Sequence, residues 1–197
     1  MKKYTLALVL ATTALPSFAE SNFSGELLFG TADQKTEISS LSSSSSGDDT
    51  SIGIRGAYQF NERIAIELAF HNYGETDDTY IDSFGDTIND KIETTSINIG
   101  VKGVLPLENG FSLAGRLGVA MWDYTLNETD SSLPGFVINS EDDGTDIYYG
   151  IGAQYDFNEK VFVGMEYTIT EMDVSLFGIV AADHEVKNFS LSVGSKF

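Results

Sequence analysis

The sequence predicts an all-β protein: an eight-stranded antiparallel up-and-down β-barrel that crosses a membrane with its strands. Three observations predict it. From Glu20 onward apolar residues recur with a period of two in eight separate tracts, the spacing at which side chains alternate across a sheet, and each tract has about the ~9–11 residues that a tilted strand needs to cross a bilayer. The connections alternate between tight turns and long polar tracts, which sends all the long tracts to one end of an up-and-down sheet. The face opposite the apolar one is mostly Gly, Ala, Ser and Asn with about one charge per strand. Small residues suit the crowded inside of a narrow barrel, whereas a strand face turned to water would be rich in Lys, Glu, Thr and Gln.

The chain opens on a segment read as an address rather than as fold. Lys2 and Lys3 precede a short apolar run, Leu6 to Leu15, and Ser17-Phe18-Ala19 supplies small residues at the −3 and −1 positions of a cleavage site. Residues 1–19 are therefore expected to be a secretory signal peptide, and residues 20–197 the barrel. The apolar run is too short to span a bilayer as a helix.

The strands follow in order. Phe23, Leu27 and Phe29 begin the apolar face; Ile52, Ile54, Tyr58 and Phe60 continue it, and after the turn Asn61-Glu62-Arg63 come Ile64, Ile66, Leu68 and Phe70. Ile97, Ile99, Val101 and Leu105 lead through the turn 106–110 to Leu113, Leu117, Val119 and Met121. Ile147, Tyr149, Ile151, Tyr155 and Phe157 lead through Asn158-Glu159-Lys160 to Val161, Val163, Met165, Tyr167 and Ile169, and Phe189, Leu191 and Val193 complete the set. Aromatic residues fall towards both ends of this face: Phe23, Phe60, Phe111, Phe157 and Phe197 at the tight turns, Phe70, Tyr149, Tyr167 and Phe189 towards the long tracts. Two aromatic girdles around an aliphatic band are the pattern of a barrel in a bilayer. A soluble barrel also alternates, with its apolar face inward; the small-residue face and the girdles favour the membrane.

Composition excludes several functions. Thirty acidic against 11 basic residues give a formal charge of −19, the wrong sign for a nucleic-acid binder. With no cysteine there is no disulfide framework, thiolate metal site or cysteine nucleophile, and two histidines leave little for a metal centre. His71 faces inward and His184 falls in the last long tract, neither in a recognisable catalytic motif, so the protein is read as no enzyme and as needing no cofactor.

The inward charges are Glu26, Glu67 and Glu166 against Arg55, Lys102 and Arg116. Three of each sign in a narrow interior predict pairing, because an unpaired buried charge is costly. Arg55 and Glu67 are expected as diagonal neighbours in one hairpin. The long tracts, 33–50, 74–94, 124–145 and 172–185, hold most of the acids and are expected to be surface loops, with a flexible serine run at 42–46. The run Glu141-Asp142-Asp143-Gly144-Thr145-Asp146 and the Asp77-Asp78 pair are candidates for bridging Ca²⁺ or Mg²⁺, against the plainer reading of solvated, mutually repelling loops.

A resemblance sharpens this reading. Gly56-Ala57-Tyr58-Gln59-Phe60-Asn61, continuing through Ile66-Glu67-Leu68 to Tyr73-Gly74, resembles the transmembrane domain of the OmpA-like small outer-membrane barrels. So do Gly100-Val101-Lys102-Gly103-Val104-Leu105-Pro106, Gly115-Arg116-Leu117-Gly118 and Met165-Glu166-Tyr167. The end, Ser192-Val193-Gly194-Ser195-Lys196-Phe197, resembles the closing signal read by the outer-membrane assembly machinery, through Gly194 and Phe197, although Ser195 departs from the usual hydrophobic residue. The resemblance implies a lumen plugged by charged side chains, with Gly164 standing where the family carries an Arg and Arg55 as its stand-in. The chain stops at its last strand, so the family's peptidoglycan-binding domain is expected to be missing. The implied location is the bacterial outer membrane, among its lipid and lipopolysaccharide, as a monomer. The implied role is structural or in surface interaction (membrane integrity, adhesion, defence), with a narrow porin-like channel as the alternative and a lipid-modifying enzyme as a second one.

Overall fold

Eight strands run in chain order around one closed barrel: β1 (Phe23–Ile38), β2 (Ser43–Asn61), β3 (Ile64–Ile81), β4 (Thr87–Pro106), β5 (Phe111–Asp130), β6 (Val137–Asp156), β7 (Val161–Leu176) and β8 (Val180–Lys196). The structure is a computed structural model that describes residues 22–38, 43–81, 85–133, 135–178 and 180–197. The expected signal peptide, residues 1–19, lies outside the described residues, as does Ser42 of the serine run. Every pairing is antiparallel, and β1 closes on β8 from Ser24 opposite Lys196 to Glu37 opposite Asp183.

The three tight turns form where the sequence supplies turn chemistry. The Asn61 side chain accepts from the Arg63 amide at 2.9 Å, and Asn158 accepts from both Lys160 and Val161 at 2.8 Å, each a carboxamide standing in for a backbone acceptor. In the third, Asn109 and Gly110 both take the left-handed conformation, with φ of 60° and 81°, which Asn and Gly tolerate best.

The long tracts differ from expectation. Most of residues 33–50, 74–94, 124–145 and 172–185 are strand, not loop, and the serine run is strand β2 from Ser43 onward. Strands of 16 to 20 residues are nearly twice what a bilayer requires, so the barrel wall continues well beyond the apolar band. Backbone pairing is indifferent to side-chain polarity. An acidic strand stays in the sheet when its other face finds a core.

The core is legible as a phase inversion. On β5 the outward residues Leu117, Val119 and Met121 are exposed, and the inward Arg116 is buried; farther along, the buried inward residues are Trp122, Tyr124 and Leu126. On β7 outward Met165 and Tyr167 give way to inward Met172, Val174 and Leu176, and on β8 outward Phe189, Leu191 and Val193 give way to inward Val186 and Ala182. Side-chain direction does not change along these strands; the apolar residues move from the odd to the even positions. Outside the bilayer, water replaces lipid as the surroundings, and the apolar residues must turn inward.

Two ladders end where the inversion occurs. Pairing of β2 with β3 stops at Ile52–Asn72, and pairing of β6 with β7 stops at Tyr148–Thr170. The other six interfaces continue, including β4 with β5 out to Ile88–Asp130 and β7 with β8 out to Leu176–Val180. Beyond the stops the wall is therefore two four-stranded sheets, β7-β8-β1-β2 and β3-β4-β5-β6. One apolar cluster built from both, including Tyr73, Trp122, Tyr124, Met172, Val174 and Val186, fills the space between them. We call this part the cap.

Candidate functional site: a charged lumen beneath an apolar cap

Inside the membrane half the structure brings all six inward charges together. They are Glu26 on β1, Arg55 on β2, Glu67 on β3, Lys102 on β4, Arg116 on β5 and Glu166 on β7. Their side chains are between 2% and 10% exposed. Arg55 donates two hydrogen bonds to Glu166, at 2.7 and 2.6 Å, in the parallel two-bond geometry that a planar guanidinium matches to a carboxylate. The same guanidinium donates to Glu26 at 3.2 Å. Arg116 donates to Glu67 at 3.0 Å and lies 3.4 Å from Glu166. Lys102 donates to Gln154 at 3.0 Å and stands 4.0 Å from Glu26 and 3.9 Å from Glu67. The diagonal Arg55–Glu67 approach is the longer one, 3.9 Å; Arg55 has its closest partner across the lumen on β7.

The group carries three charges of each sign and sums to zero, so it can fill the lumen without a net buried charge. At Gly164, where the resemblance implied an Arg in the family, a Cβ would fall 2.7 Å from the Ser192 hydroxyl, which would have to turn aside to admit a side chain. Towards the tight turns the buried Phe162 ring lies over Gly194, where an added Cβ would fall 2.2 Å from it. Gly194 thus has a packing reason to be Gly. Phe197 faces outward and donates its amide to Phe23 at 2.9 Å, closing the last strand on the first.

Above the charges comes a neutral polar layer. His71 stacks on Tyr73 at 5.5 Å, and Tyr73 hydrogen-bonds Ser96 at 3.0 Å. Ser51 donates to Asn188 at 2.6 Å, and Asn188 donates to Ser190 at 3.0 Å. His184, expected in a loop, is instead on β8 inside the cap. One ring nitrogen meets the Thr36 hydroxyl at 2.8 Å and the other the Thr94 hydroxyl at 3.1 Å. Burial holds His184 down at about 4, so it is neutral at physiological pH.

The two open seams of the cap are closed by side chains, which the sequence reading missed. Along β7 the amides of Asp173, Ser175 and Phe177 donate to Asp146 at 3.4 Å, Asp142 at 2.6 Å and the Ser140 hydroxyl at 2.8 Å, all from β6. At the other seam Asp49 of β2 accepts from the Glu75 amide at 2.8 Å. Such bonds answer the cost of unpaired strand amides. The candidate cation cluster is thereby divided. Asp142 and Asp146 serve the seam while Glu141 and Asp143 are exposed on the opposite face, and among the described residues no group of three or more acidic or histidine side chains is arranged to hold a metal ion.

Residues 5–197 match the family described as outer membrane protein beta-barrel domain. The chain belongs to this family. Among solved structures this outer-membrane barrel is similar to Neisserial surface protein A, with 15% identity over 91% of this chain and 100% of that one and a TM-score of 0.61. It is similar to the attachment invasion locus protein Ail of Yersinia pestis, solved with the heparin analogue sucrose octasulfate, at 16% identity over 89% and 99% with a TM-score of 0.54. The N-terminal β-barrel domain of Pseudomonas aeruginosa OprF is similar at 13% identity over 91% and 100%, also with a TM-score of 0.54. No curated protein sequence matches. At these identities the likeness is one of fold. Membership of the family places the barrel in the bacterial outer membrane. In such barrels the short turns face the periplasm and the longer connections face outward.

Proposed function

We propose that this outer-membrane barrel is a closed, surface-displaying scaffold with a structural or interaction role, and that it conducts nothing. The observation that carries the reading is that the lumen is filled twice in series. A neutral group of six buried charges fills the membrane half, and an apolar core fills the cap above it. An ion crossing would have to part the Arg55–Glu166 pair and then enter a dry apolar layer, each a step of high cost. The projecting outer faces carry acids such as Glu141, Asp143, Glu171 and Asp173, which suits display rather than passage.

A non-catalytic role is supported by the histidines. Both ring nitrogens of His184 face threonine hydroxyls rather than the serine and carboxylate that flank a hydrolytic base, and His71 stacks on Tyr73. The test is planar-bilayer recording of refolded protein. No discrete conductance is expected from the native chain; steady single-channel steps would overturn the reading and favour the narrow channel.

A further inference from the structure

At the outer end of the cap, between the two sheets, lies a cavity of about 320 Å³, at the small end of the ~300–1,000 Å³ range of ligand pockets. Its walls combine the hydroxyls of Thr36, Ser44 and Ser45 with two further chemistries. Aromatic rings come from Tyr80 on β3, Tyr124 on β5 and Phe177 in the β7–β8 hairpin, together with aliphatic side chains. Carboxylates come from Asp78 on β3, Asp90 on β4 and Glu128 on β5. Among the described residues lining it there is no Lys, Arg or His. The exposed Lys91 beside it is engaged by Glu75 and Asp77.

One carboxylate oxygen, Oδ1 of Asp90, is shielded from solvent and has no hydrogen-bond partner within the protein. Buried carboxylate oxygens are ordinarily paired; in the membrane half Glu26 Oε1 and Glu67 Oε1 also lack a hydrogen bond, but they stand 4.0 and 3.9 Å from the Lys102 ammonium. Here, among the described lining residues, the acids meet one another, neutral hydroxyls and apolar wall, with no base among them. Burial, Glu128 and Asp78 push Asp90 up to about 6, and burial and Asp130 push Glu128 up. A cation in the cavity would relieve both. Among the described residues no group of three or more acidic or histidine side chains is arranged to hold a metal ion, and much of the wall is aromatic or aliphatic. Aromatic faces and carboxylates together suit an organic ammonium, the charge held by the acids and by the ring faces and the apolar body by the walls.

We infer that this cavity is a binding site for a small organic ammonium ion with an apolar body, seated against Asp90 and Glu128 under Tyr80, Tyr124 and Phe177. The site opens on the surface side, so it is independent of whether the lumen conducts. Phe177 is well placed to shape its mouth. It is a non-glycine residue in the left-handed conformation, with φ of 54°, and its amide is tied to Ser140 across the seam.

The experiment is calorimetric titration of full-length refolded protein in zwitterionic nanodiscs with 2-phenylethylammonium, against its neutral counterpart 2-phenylethanol, at constant ionic strength and pH 7.5. Saturable binding of the ammonium is expected, with the alcohol at least tenfold weaker. Asp90→Asn and Glu128→Gln should each weaken the ammonium about tenfold or more. Asp123→Asn, an exposed acid on the outer face of β5, should leave it unchanged. Heat-modifiable gel migration of every variant confirms that the barrel has formed. Equal binding of amine and alcohol would reduce the cavity to an apolar void, and equal loss in Asp123→Asn would reduce the effect to the general negative field. Either result, or no binding at all, overturns the inference.

Discussion

In the membrane half of the barrel the outside is apolar and the lumen carries six charges; in the cap the outside is acidic and the lumen carries Trp122, Tyr124, Met172 and Val174. One set of continuous strands runs through both. The difference shows that the surroundings, not the strand, decide which face is apolar. Where lipid is outside, burial of apolar groups gains nothing from turning inward, and the narrow lumen is held by ion pairs and small residues. Where water is outside, the same backbone builds an ordinary apolar core. The halves should also fail differently. The membrane half is one closed hydrogen-bonded ring, whereas the cap is two sheets joined across two seams by the side chains of Asp49, Asp142, Asp146 and Ser140.

The largest effect is expected from Arg55→Met. It leaves Glu166 and Glu26 without their main partner in a water-poor interior, at a cost of about 3–5 kcal/mol, read as a lower urea midpoint for the whole barrel and a lower temperature for loss of the compact gel band. The double variant Arg55→Met/Glu166→Leu should recover part of that loss, because it removes a charge from each side. A mild Arg55→Met would mean a wet lumen and would break the contrast between the halves.

Leu126→Ala should cost about 2–5 kcal/mol locally, by transfer and cavity terms. It should open the cap to protease while the compact gel band survives, since the membrane ladders do not depend on it. Coincident loss of both would show that the barrel unfolds as one unit.

Acid should act on the cap through His184. Its folded value, about 4, lies below the ordinary 6.5, so the neutral form favours the fold. The contribution is complete above pH ~6.5 and is lost as pH falls through that range towards ~4, by about 3 kcal/mol in all. Protection of the β8 amides, measured relative to their intrinsic exchange rates, should fall between pH 7 and 4.5, and His184→Gln should flatten that response.

The smallest effect belongs to the seam. Asp142→Ala removes the acceptor of the Ser175 amide and should cost about 0.5–1.5 kcal/mol. It should be visible as faster exchange at Ser175 and Phe177, with no change at β5 residues. Faster exchange throughout the cap would make the seam bonds the hinge of a larger opening.

Continued alternation of Trp122, Tyr124 and Leu126, or of Met172, Val174 and Leu176, lies in the sequence at the same period of two as the membrane strands. It escapes notice because the phase shifts by one and because acidic residues fill the positions between, which reads as loop. His184 reads as a loop residue for the same reason. The partners of the lumenal charges were less accessible: sequence places Arg55 near Glu67 within one hairpin, but its close contact is with Glu166, which lies 111 positions away.

By itself the sequence determined the strand number, the tight turns, which face meets lipid and which six charges turn inward. These depend on local chemistry: a period of two, Asn and Gly at turns, and the apolar cost of facing water. The tertiary structure alone decided three things: the bidentate pair across the lumen, the stopping of two ladders that splits the wall into a cap, and the cavity where Asp78, Asp90 and Glu128 meet aromatic rings. Each depends on the distance between strands that are not neighbours, or on a ladder's end. That distance is fixed by closure of the whole barrel, a constraint no single segment carries.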